Sequence, residues 1–191
     1  MNIKFGCAML RAIELEDIRL LQHLMNDPGV ESMTVDMHYA VSVHQEEEWV
    51  RKFRNDDRCM RWMITLSNGT VLGMVSLSGI DWINRGASIG IKTGPLEGDR
   101  MRGDVKDAFY ALCRHAFDEL NLHRIETATL DYNVFSLKLS RSMGFCDEGI
   151  QRKKVFRGGK WHDLVIGGLL REEFIRYEDG CAPWQKNDNF K

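Results

Sequence analysis

The sequence is short of the features that mark several common classes of protein. It has three prolines, no low-complexity tract and no run of about 18 apolar residues, so it predicts one folded domain without a transmembrane helix. The amino terminus, MNIKFG, lacks the apolar core of a signal peptide, which predicts a cytoplasmic, soluble protein. The five cysteines include no CxxC pair, so a disulfide framework or a zinc cluster is not indicated and no metal ion is expected.

An excess of charge of either sign is also missing. The chain has 26 Lys and Arg against 28 Asp and Glu, for a formal net charge of −2. General nucleic-acid binders usually carry a basic excess or a basic face, so no nucleic-acid partner and no membrane partner are expected. This balance still allows a local anion site. We expect one domain over residues 1–178 and a polar tail over 179–191 that is surface-exposed or poorly ordered.

The apolar residues alternate along the chain between the strand period and the helical period. Asn26-Asp27-Pro28-Gly29 predicts the end of the first helix, because Pro28 has no N–H to donate. Asn68-Gly69 between two strand-like runs predicts a hairpin. The order β-α-α-β-β-β-α-β-α-β-β indicates an α/β or α+β layered domain with helices on a mixed sheet. Strands are predicted over residues 7–13, 62–66, 71–80, 87–92, 124–130, 146–156 and 161–169, and helices over 16–25, 42–54, 105–120 and 134–143.

A glycine-rich, basic segment lies between the strand over 87–92 and the long helix. Arg100 and Arg102 could make charge-assisted bonds, and Gly103 would let an oxygen-rich ligand approach the backbone. Unpaired N–H groups at a helix N-terminus favour an anion, so a pyrophosphate could bind here. The spacing is equally compatible with an ordinary surface loop. The segment matches neither GxxxxGKS/T nor GxGxxG, so NTP hydrolysis and dinucleotide binding are not indicated.

This segment resembles the coenzyme A loop of the GNAT acetyltransferases. That family has Gln/Arg-x-x-Gly-x-Gly/Ala at the start of its long helix; Arg100 and Gly103 match, and Val105 stands in the last position. Downstream, Asn133-x-x-Ser136-x-x-Leu139 resembles the motif beside the thiol end of the cofactor. The similarity covers roughly residues 7–175. It implies a GNAT-like mixed, centrally splayed β-sheet with helices on both faces.

The resemblance implies acetyl-CoA as the cofactor. In the family the pantetheine arm enters the gap in the sheet and pairs like an added strand, here with the backbone of Ile91 and Thr93. An amide near Ile91 would face the thioester oxygen. Two residues keep simpler alternatives, Asn133 as a helix N-cap and Lys138 as part of a solvated helix face. The residues predicted to bind the cofactor are Ile91, Thr93, Arg100, Met101, Arg102, Gly103, Val105, Lys106, Asn133, Ser136 and Lys138.

The resemblance also implies direct attack of a primary amine on the thioester, without a covalent enzyme intermediate. Many relatives have a tyrosine that protonates the thiolate where this chain has Ser140, which could only relay a proton or could have no role. The base candidates are Asp81, which could equally cap a turn, and His38, which could simply be solvated. The acceptor is expected to contact the loop between the first helices, at Met33, Thr34, Asp36 and Tyr39.

Three functions are compatible with these residues. The C-terminal half resembles the subgroup of ribosomal-protein N-terminal and amino-sugar acetyltransferases, and the pattern over 77–84 favours transfer to the amino group of a nucleotide-linked amino sugar. The second function is acetylation of a peptide N-terminus, and the third is non-catalytic binding of an acyl-CoA. The expected partner is a small-molecule amine or a peptide N-terminus, and edge strands of the C-terminal hairpin could pair two copies as a homodimer. The acidic run Glu46–Glu48 could suggest a polyamine site, but complementing the helix dipole is the favoured role.

Overall fold

A computed structural model describes residues 2–35, 39–52, 56–94 and 98–185, with the side chains of residues 98–102 outside the description. Within these ranges the strands are β1 (Ile3–Phe5), β2 (Ala8–Arg11), β3 (Cys59–Leu66), β4 (Val71–Asp81), β5 (Gly86–Thr93), β6 (Arg124–Leu130), β7 (Cys146–Arg157) and β8 (Lys160–Leu170). The helices are α1 (Ile18–Asn26), α2 (Pro28–Ser32), α3 (Val43–Lys52), α4 (Gly98–Asp118) and α5 (Val134–Ser142), and a 3-10 turn over Leu15–Asp17 precedes α1.

The described strands form one mixed sheet in the order β1-β2-β3-β4-β5-β6-β8-β7. Every neighbouring pair is antiparallel except β5 and β6, which run parallel. A parallel pair needs a crossover connection, and α4 provides it. The predicted α/β layered class with a mixed sheet is confirmed.

Different helices cover the two faces of the sheet. On one face lies α4, whose apolar positions recur at helical spacing and bury Phe109 and Leu112 in the main core. On the other face, Leu21 of α1 and Val50 of α3 pack with Met74 of β4 in a smaller core. None of the described helices combines the length and the apolar character that crossing a bilayer requires.

The amino-terminal half follows the predicted boundaries in part. α1 ends at Asn26, as predicted, but Pro28 then begins a short second helix, α2, because the Asp27 side chain accepts a hydrogen bond from the N–H of Val30 and caps it. Proline is tolerated at the first helical position, where its missing N–H would have no partner. The strand predicted over 7–13 is shorter and follows a turn at Gly6, whose φ of 55° suits glycine.

The segment after β8 folds back onto α4. The backbone N–H of Tyr177 donates to the hydroxyl of Tyr110 over 2.6 Å, and the indole N–H of Trp184 donates to Oδ1 of Asp107 over 2.8 Å. Ala182 is fully buried. The described part of the tail, residues 179–185, is mostly exposed, while Ala182 and Trp184 pack against the main core.

Candidate active site

The sheet opens between its two parallel strands. β5 and β6 pair only over Gly86–Ser88 and Arg124–Glu126. Beyond these residues β5 stays paired with β4 as far as Thr93, while β6 follows β8. The two strands therefore splay apart, as predicted, and the described chain leaves one edge of β5 open over residues 89–93.

The backbone of β5 presents hydrogen-bonding groups to this gap. The N–H of Gly94 donates to the carbonyl of Leu72 over 3.3 Å, which makes these two residues a hydrogen-bonded pair between β4 and β5. Because such groups alternate along an antiparallel pair, the even-numbered residues of β5 bond to β4 and the odd-numbered residues point away. Ile89, Ile91 and Thr93 therefore direct their N–H and C=O groups into the gap. This is the orientation predicted for Ile91 and Thr93.

A cavity of about 810 Å³ follows the gap and reaches both faces of the sheet. Phe109 of α4 lines it on one side and Trp49 of α3 lines it on the other. Its volume lies within the usual range for a ligand site. The predicted site residues that line the cavity are Met33, Thr34, Tyr39, Ile91, Asn133, Ser136 and Ser140.

Asn133 links the start of α5 to the acceptor loop. Its side-chain oxygen accepts a hydrogen bond from the N–H of Ser136 over 3.1 Å, so the N-cap alternative is confirmed. Its side-chain amide donates to the carbonyl of Met33 over 3.0 Å. The next carbonyl in that loop, Thr34, accepts from the guanidinium of Arg157 over 2.6 Å. These bonds fix the backbone of the loop where it borders the cavity.

Ser140 lies on α5 at the cavity wall and is 6% exposed. Its hydroxyl donates to the carbonyl of Leu137 over 3.2 Å, a bond within the same helix. The oxygen keeps its capacity to accept a hydrogen bond. The side chain is placed where a proton relay could act, and its catalytic role stays a prediction.

Asp81 is not part of the cavity. It ends β4, and its carboxylate accepts hydrogen bonds from the N–H groups of Ile83 and Asn84 and from the Asn84 side chain, each at 2.8 or 2.9 Å. The bonds from Asn84 lead in holding the pKa of Asp81 below its usual value, which makes it a weak base. Asp81 therefore caps the turn after β4, which confirms that alternative, and no described contact supports its predicted role as a catalytic base. The other base candidate, His38, and the acceptor candidate Asp36 lie outside the described residues.

The start of α4 changes which amides a pyrophosphate could meet. Because the helix begins at Gly98, the N–H groups from Arg102 onward reach carbonyls four residues earlier within the described helix. The predicted amide donors Arg102, Gly103 and Val105 therefore lie within the hydrogen-bonded helix, and the amide of Met101 lies in its first turn. A side chain built on Gly103 would meet open space, so a ligand can still approach there. The side chains of Arg100, Met101 and Arg102 are outside the description, and their roles stay predictions.

The remaining predicted cofactor residues lie beyond the cavity lining. Val105 is fully buried in the main core, so its side chain cannot touch a ligand. Lys138 is exposed on α5, and Lys106 and Thr93 are partly exposed. Their contact with the phosphate end of a cofactor stays a prediction.

Glu46 lines the cavity, although a helix-dipole role was the favoured interpretation for the whole run Glu46–Glu48. Glu46 lies one turn before Val50 on the inward face of α3 and is 5% exposed. Burial raises the pKa of Glu46, and the positive charge of Lys92 opposes that rise. Glu47 and Glu48 face solvent and pair with basic residues four positions later. The helical spacing from Val50 was the signal that separates Glu46 from its two neighbours.

Two cations share this side of the cavity with Glu46. Lys92 of β5 and Arg61 of β3 both line it. The guanidinium of Arg61 lies 4.8 Å from the ring centroid of Trp49, and Nζ of Lys92 lies 3.4 Å from Sδ of Met25. Trp49 is thus a cavity wall as well as a core residue. Among the described lining residues Glu46 is the only carboxylate, and Lys92 and Arg61 are the two cations.

The sheet splays at its parallel pair, and backbone amides of β5 face a ligand-sized cavity in the gap. This arrangement is that of a transferase that takes an extended acyl donor. The chain belongs to the GNAT acetyltransferase family, since the family model described as "Acetyltransferase (GNAT) domain" matches residues 8–146. A prophage-derived uncharacterized N-acetyltransferase of Bacillus subtilis is 29% identical over 165 residues, which cover 86% of this chain and 90% of the relative. A putative ribosomal N-acetyltransferase of the same species is 34% identical over 110 residues, which cover 57% of this chain and 58% of the relative. The crystal structure of a Vibrio cholerae spermidine N-acetyltransferase with CoA and spermine has a TM-score of 0.81 at 25% identity, covering 88% of this chain and 98% of that chain.

The protein is an acetyl-CoA-dependent N-acetyltransferase, and its site fits that donor. The open edge of β5 can pair with an extended amide-containing arm through Ile89, Ile91 and Thr93. When bound, acetyl-CoA supplies an acetyl thioester. The N–H of Ile91 points into the gap, and its role in polarising the thioester carbonyl stays a prediction.

Proposed function

We propose that the acceptor is a primary amine borne by an anionic molecule, such as a nucleotide-linked amino sugar. The observation that carries this proposal is the pairing of one carboxylate, Glu46, with two cations, Lys92 and Arg61, on the acceptor side of the cavity. The carboxylate suits the ammonium group, and the cations suit a phosphate or carboxylate on the same molecule.

The same charges disfavour a polyamine. One ammonium group of spermidine could face Glu46, but the others would meet Lys92 or Arg61. Two unit charges about 6 Å apart repel each other by roughly 3 kcal/mol at an effective dielectric constant of about 20. The likeness to a spermidine N-acetyltransferase therefore supports the transfer chemistry and not the same acceptor.

The acceptor class can be tested with a panel of amines. Acetyl-CoA would be offered with a nucleotide-linked amino sugar, the free amino sugar, spermidine and a short peptide, and the products identified by mass spectrometry. We expect the highest kcat/KM for the nucleotide-linked sugar. Exclusive transfer to the peptide would support the N-terminal alternative and contradict the proposal. Binding of CoA in a calorimetric titration, without turnover of any amine, would support the non-catalytic alternative.

Lys92→Met tests the role of the cations directly. We expect KM for the nucleotide-linked sugar to rise about tenfold or more, because a charge-assisted bond is worth about 1.5–3 kcal/mol, with a smaller effect on the free sugar. Lys52→Met is the matched control, since Lys52 is exposed on α3 and does not line the cavity. Equal KM values for wild type and Lys92→Met on the charged sugar would contradict the proposed acceptor.

The homodimer also stays a prediction. β7 lies at one edge of the sheet and its residues are mostly exposed, with Phe156 among the exposed apolar side chains. An exposed edge strand can pair with a second copy. Sedimentation at several protein concentrations would show the dimer, and a mass equal to one chain throughout would exclude it.

A further inference from the structure

Glu46 differs from other buried carboxylates of the described chain in how its charge is compensated. Asp17 accepts two hydrogen bonds from Arg11, at 2.7 and 2.8 Å, and Asp107 accepts from backbone and side-chain donors. The carboxylate of Glu46 accepts no hydrogen bond from the part of the chain that the structure describes, and Lys92 provides charge alone. Because Glu46 lines the cavity, its carboxylate can exchange water for a hydrogen-bond donor on a ligand. A donor brought by a ligand would satisfy it.

Among the described residues that line the cavity, Glu46 is the ionisable group best able to accept a proton. Lys92 of β5 and Arg61 of β3 are cations and have no lone pair that could accept a proton. Burial raises the pKa of the Cys59 thiol on β3, which keeps it protonated. Within the described lining no histidine and no second carboxylate is present.

We infer that Glu46 binds the ammonium group of the acceptor and removes one of its protons, as the catalytic base of the transfer. The inference rests on the proposed function in one respect, that an amine occupies this side of the cavity. It assigns to α3 a catalytic role that neither the glycine-rich loop nor the α5 motif supplies.

The proton and bond changes balance in this scheme. The acceptor arrives as R–NH3⁺, and the Glu46 carboxylate takes one proton, which leaves R–NH2 and a neutral carboxylic acid. The amine nitrogen then bonds to the thioester carbonyl carbon and the C–S bond breaks. The second amine proton passes to the departing sulfur, directly or through Ser140, and Glu46 returns its proton to water. The products are the N-acetyl amine, the free thiol and one proton.

The environment of Glu46 suits this role. Burial moves its pKa upward, toward the operating pH, which strengthens the carboxylate as a base, while Lys92 keeps the charged form accessible. An approaching ammonium group adds a second cation and favours the carboxylate further.

Glu46→Gln tests the inference, with Glu47→Gln as the matched control. Glu47 is the next residue of α3, pairs with Arg51 over 2.6 Å and faces solvent. We would measure kcat/KM against pH with the panel amine that the wild type uses best. Because the base must be deprotonated, the wild-type value should fall as pH drops through the raised pKa. Glu46→Gln should lose about 100-fold in kcat/KM near neutral pH and should lack this fall at low pH, called here the acidic limb. Glu47→Gln should keep the wild-type kcat/KM and the acidic limb.

Two further measurements separate a catalytic role from a structural one. Calorimetry should give the same CoA affinity for Glu46→Gln and wild type, and its melting temperature should not fall, because a neutral amide is less costly to bury than a carboxylate. Glu46→Asp, which keeps a shorter carboxylate, should retain the acidic limb at a reduced rate. If Glu46→Gln does not fold, Glu46→Asp still tests the inference. A pH profile of Glu46→Asp without the acidic limb would overturn it.

The experiments can contradict the role of Glu46 and the acceptor class separately. If the wild type prefers spermidine or the peptide, the anionic acceptor is wrong, and the Glu46 comparison is made on the preferred amine. A Glu46→Gln enzyme within about threefold of wild type, or one whose acidic limb persists, overturns the base while leaving the acceptor class intact. Failure of the wild type to acetylate any amine would overturn both.

Discussion

Asp107 shows how a single residue joins distant parts of this chain. Its carboxylate accepts hydrogen bonds from the backbone N–H of Cys7 at 3.0 Å, and from the side chains of Trp184 at 2.8 Å and Gln185 at 2.9 Å. Burial raises the pKa of Asp107, and these donors oppose the rise. One residue of α4 thereby connects the amino-terminal hairpin turn to the carboxyl-terminal tail.

Replacing Asp107 should cost stability. In Asp107→Ala the N–H groups of Trp184 and Cys7 lose their acceptor, at roughly 1–3 kcal/mol for each group that stays buried, partly offset by removal of a costly buried carboxylate. We expect a net loss of about 2 kcal/mol in the free energy of unfolding, and less for Asp107→Asn, which keeps one acceptor oxygen. Urea denaturation would measure it as a lower midpoint with an unchanged slope. Asp118→Ala, at a more exposed position of α4, is the control, and equal losses would contradict this account.

Elements were predictable from the sequence where their signals are local. The Asn68-Gly69 hairpin, the cap at Asn133 and the alternation of β6 all follow from neighbouring residues. The end of α1 before Pro28 was predicted correctly, but the short helix α2 was not, because it depends on the capping side chain of Asp27. The open edge of β5 could not be derived from spacing, since it arises from β6 pairing with β8. The family resemblance supplied that feature.

Gly73 of β4 packs closely against the backbone of β5. Its φ is 150°, and a side chain built there would lie 2.0 Å from the carbonyl oxygen of Lys92. Gly73→Ala must therefore displace β5 where it forms the cavity wall. We expect a loss of about 3 kcal/mol in the free energy of unfolding and weaker CoA binding, from melting curves and calorimetry.

Gly69→Ala gives the control for backbone strain alone. Gly69 has a φ of 85° in the β3–β4 turn, and a side chain there meets open space. It should cost only about 1 kcal/mol and leave CoA affinity unchanged. If the two variants lose the same stability, close packing at Gly73 is not what limits that position.

At the scale of the whole molecule, the site is assembled from segments that the sequence does not place together. Glu46 comes from α3, Arg61 from β3 and Lys92 from β5, and the strand order brings them to one side of the sheet. Residues of the cofactor side follow motifs and were found by resemblance. The predicted acceptor side depends on topology and charge, so the sequence alone did not separate Glu46 from Glu47 and Glu48.

The described part of the carboxyl-terminal tail packs against α4 around Tyr110. The rings of Tyr177 and Trp184 lie 5.8 and 5.7 Å from that of Tyr110, and Ala182 is fully buried beside them. A chain ending at Gly180 loses the packing of Trp184 and its bond to Asp107, whereas one ending at Gln185 keeps every described contact.

The shorter chain should be less stable and still bind the cofactor. Loss of a packed tryptophan costs about 3 kcal/mol, which lowers the melting temperature of a chain of this size by roughly 6–12 °C. The described tail residues do not line the cavity, so CoA affinity measured well below the melting temperature should match that of the longer chain. Calorimetric scans and titrations of both chains would check this. Equal melting temperatures would show that the tail adds nothing to the core, and a selective loss of CoA affinity would show that α4 transmits its docking to the strand gap.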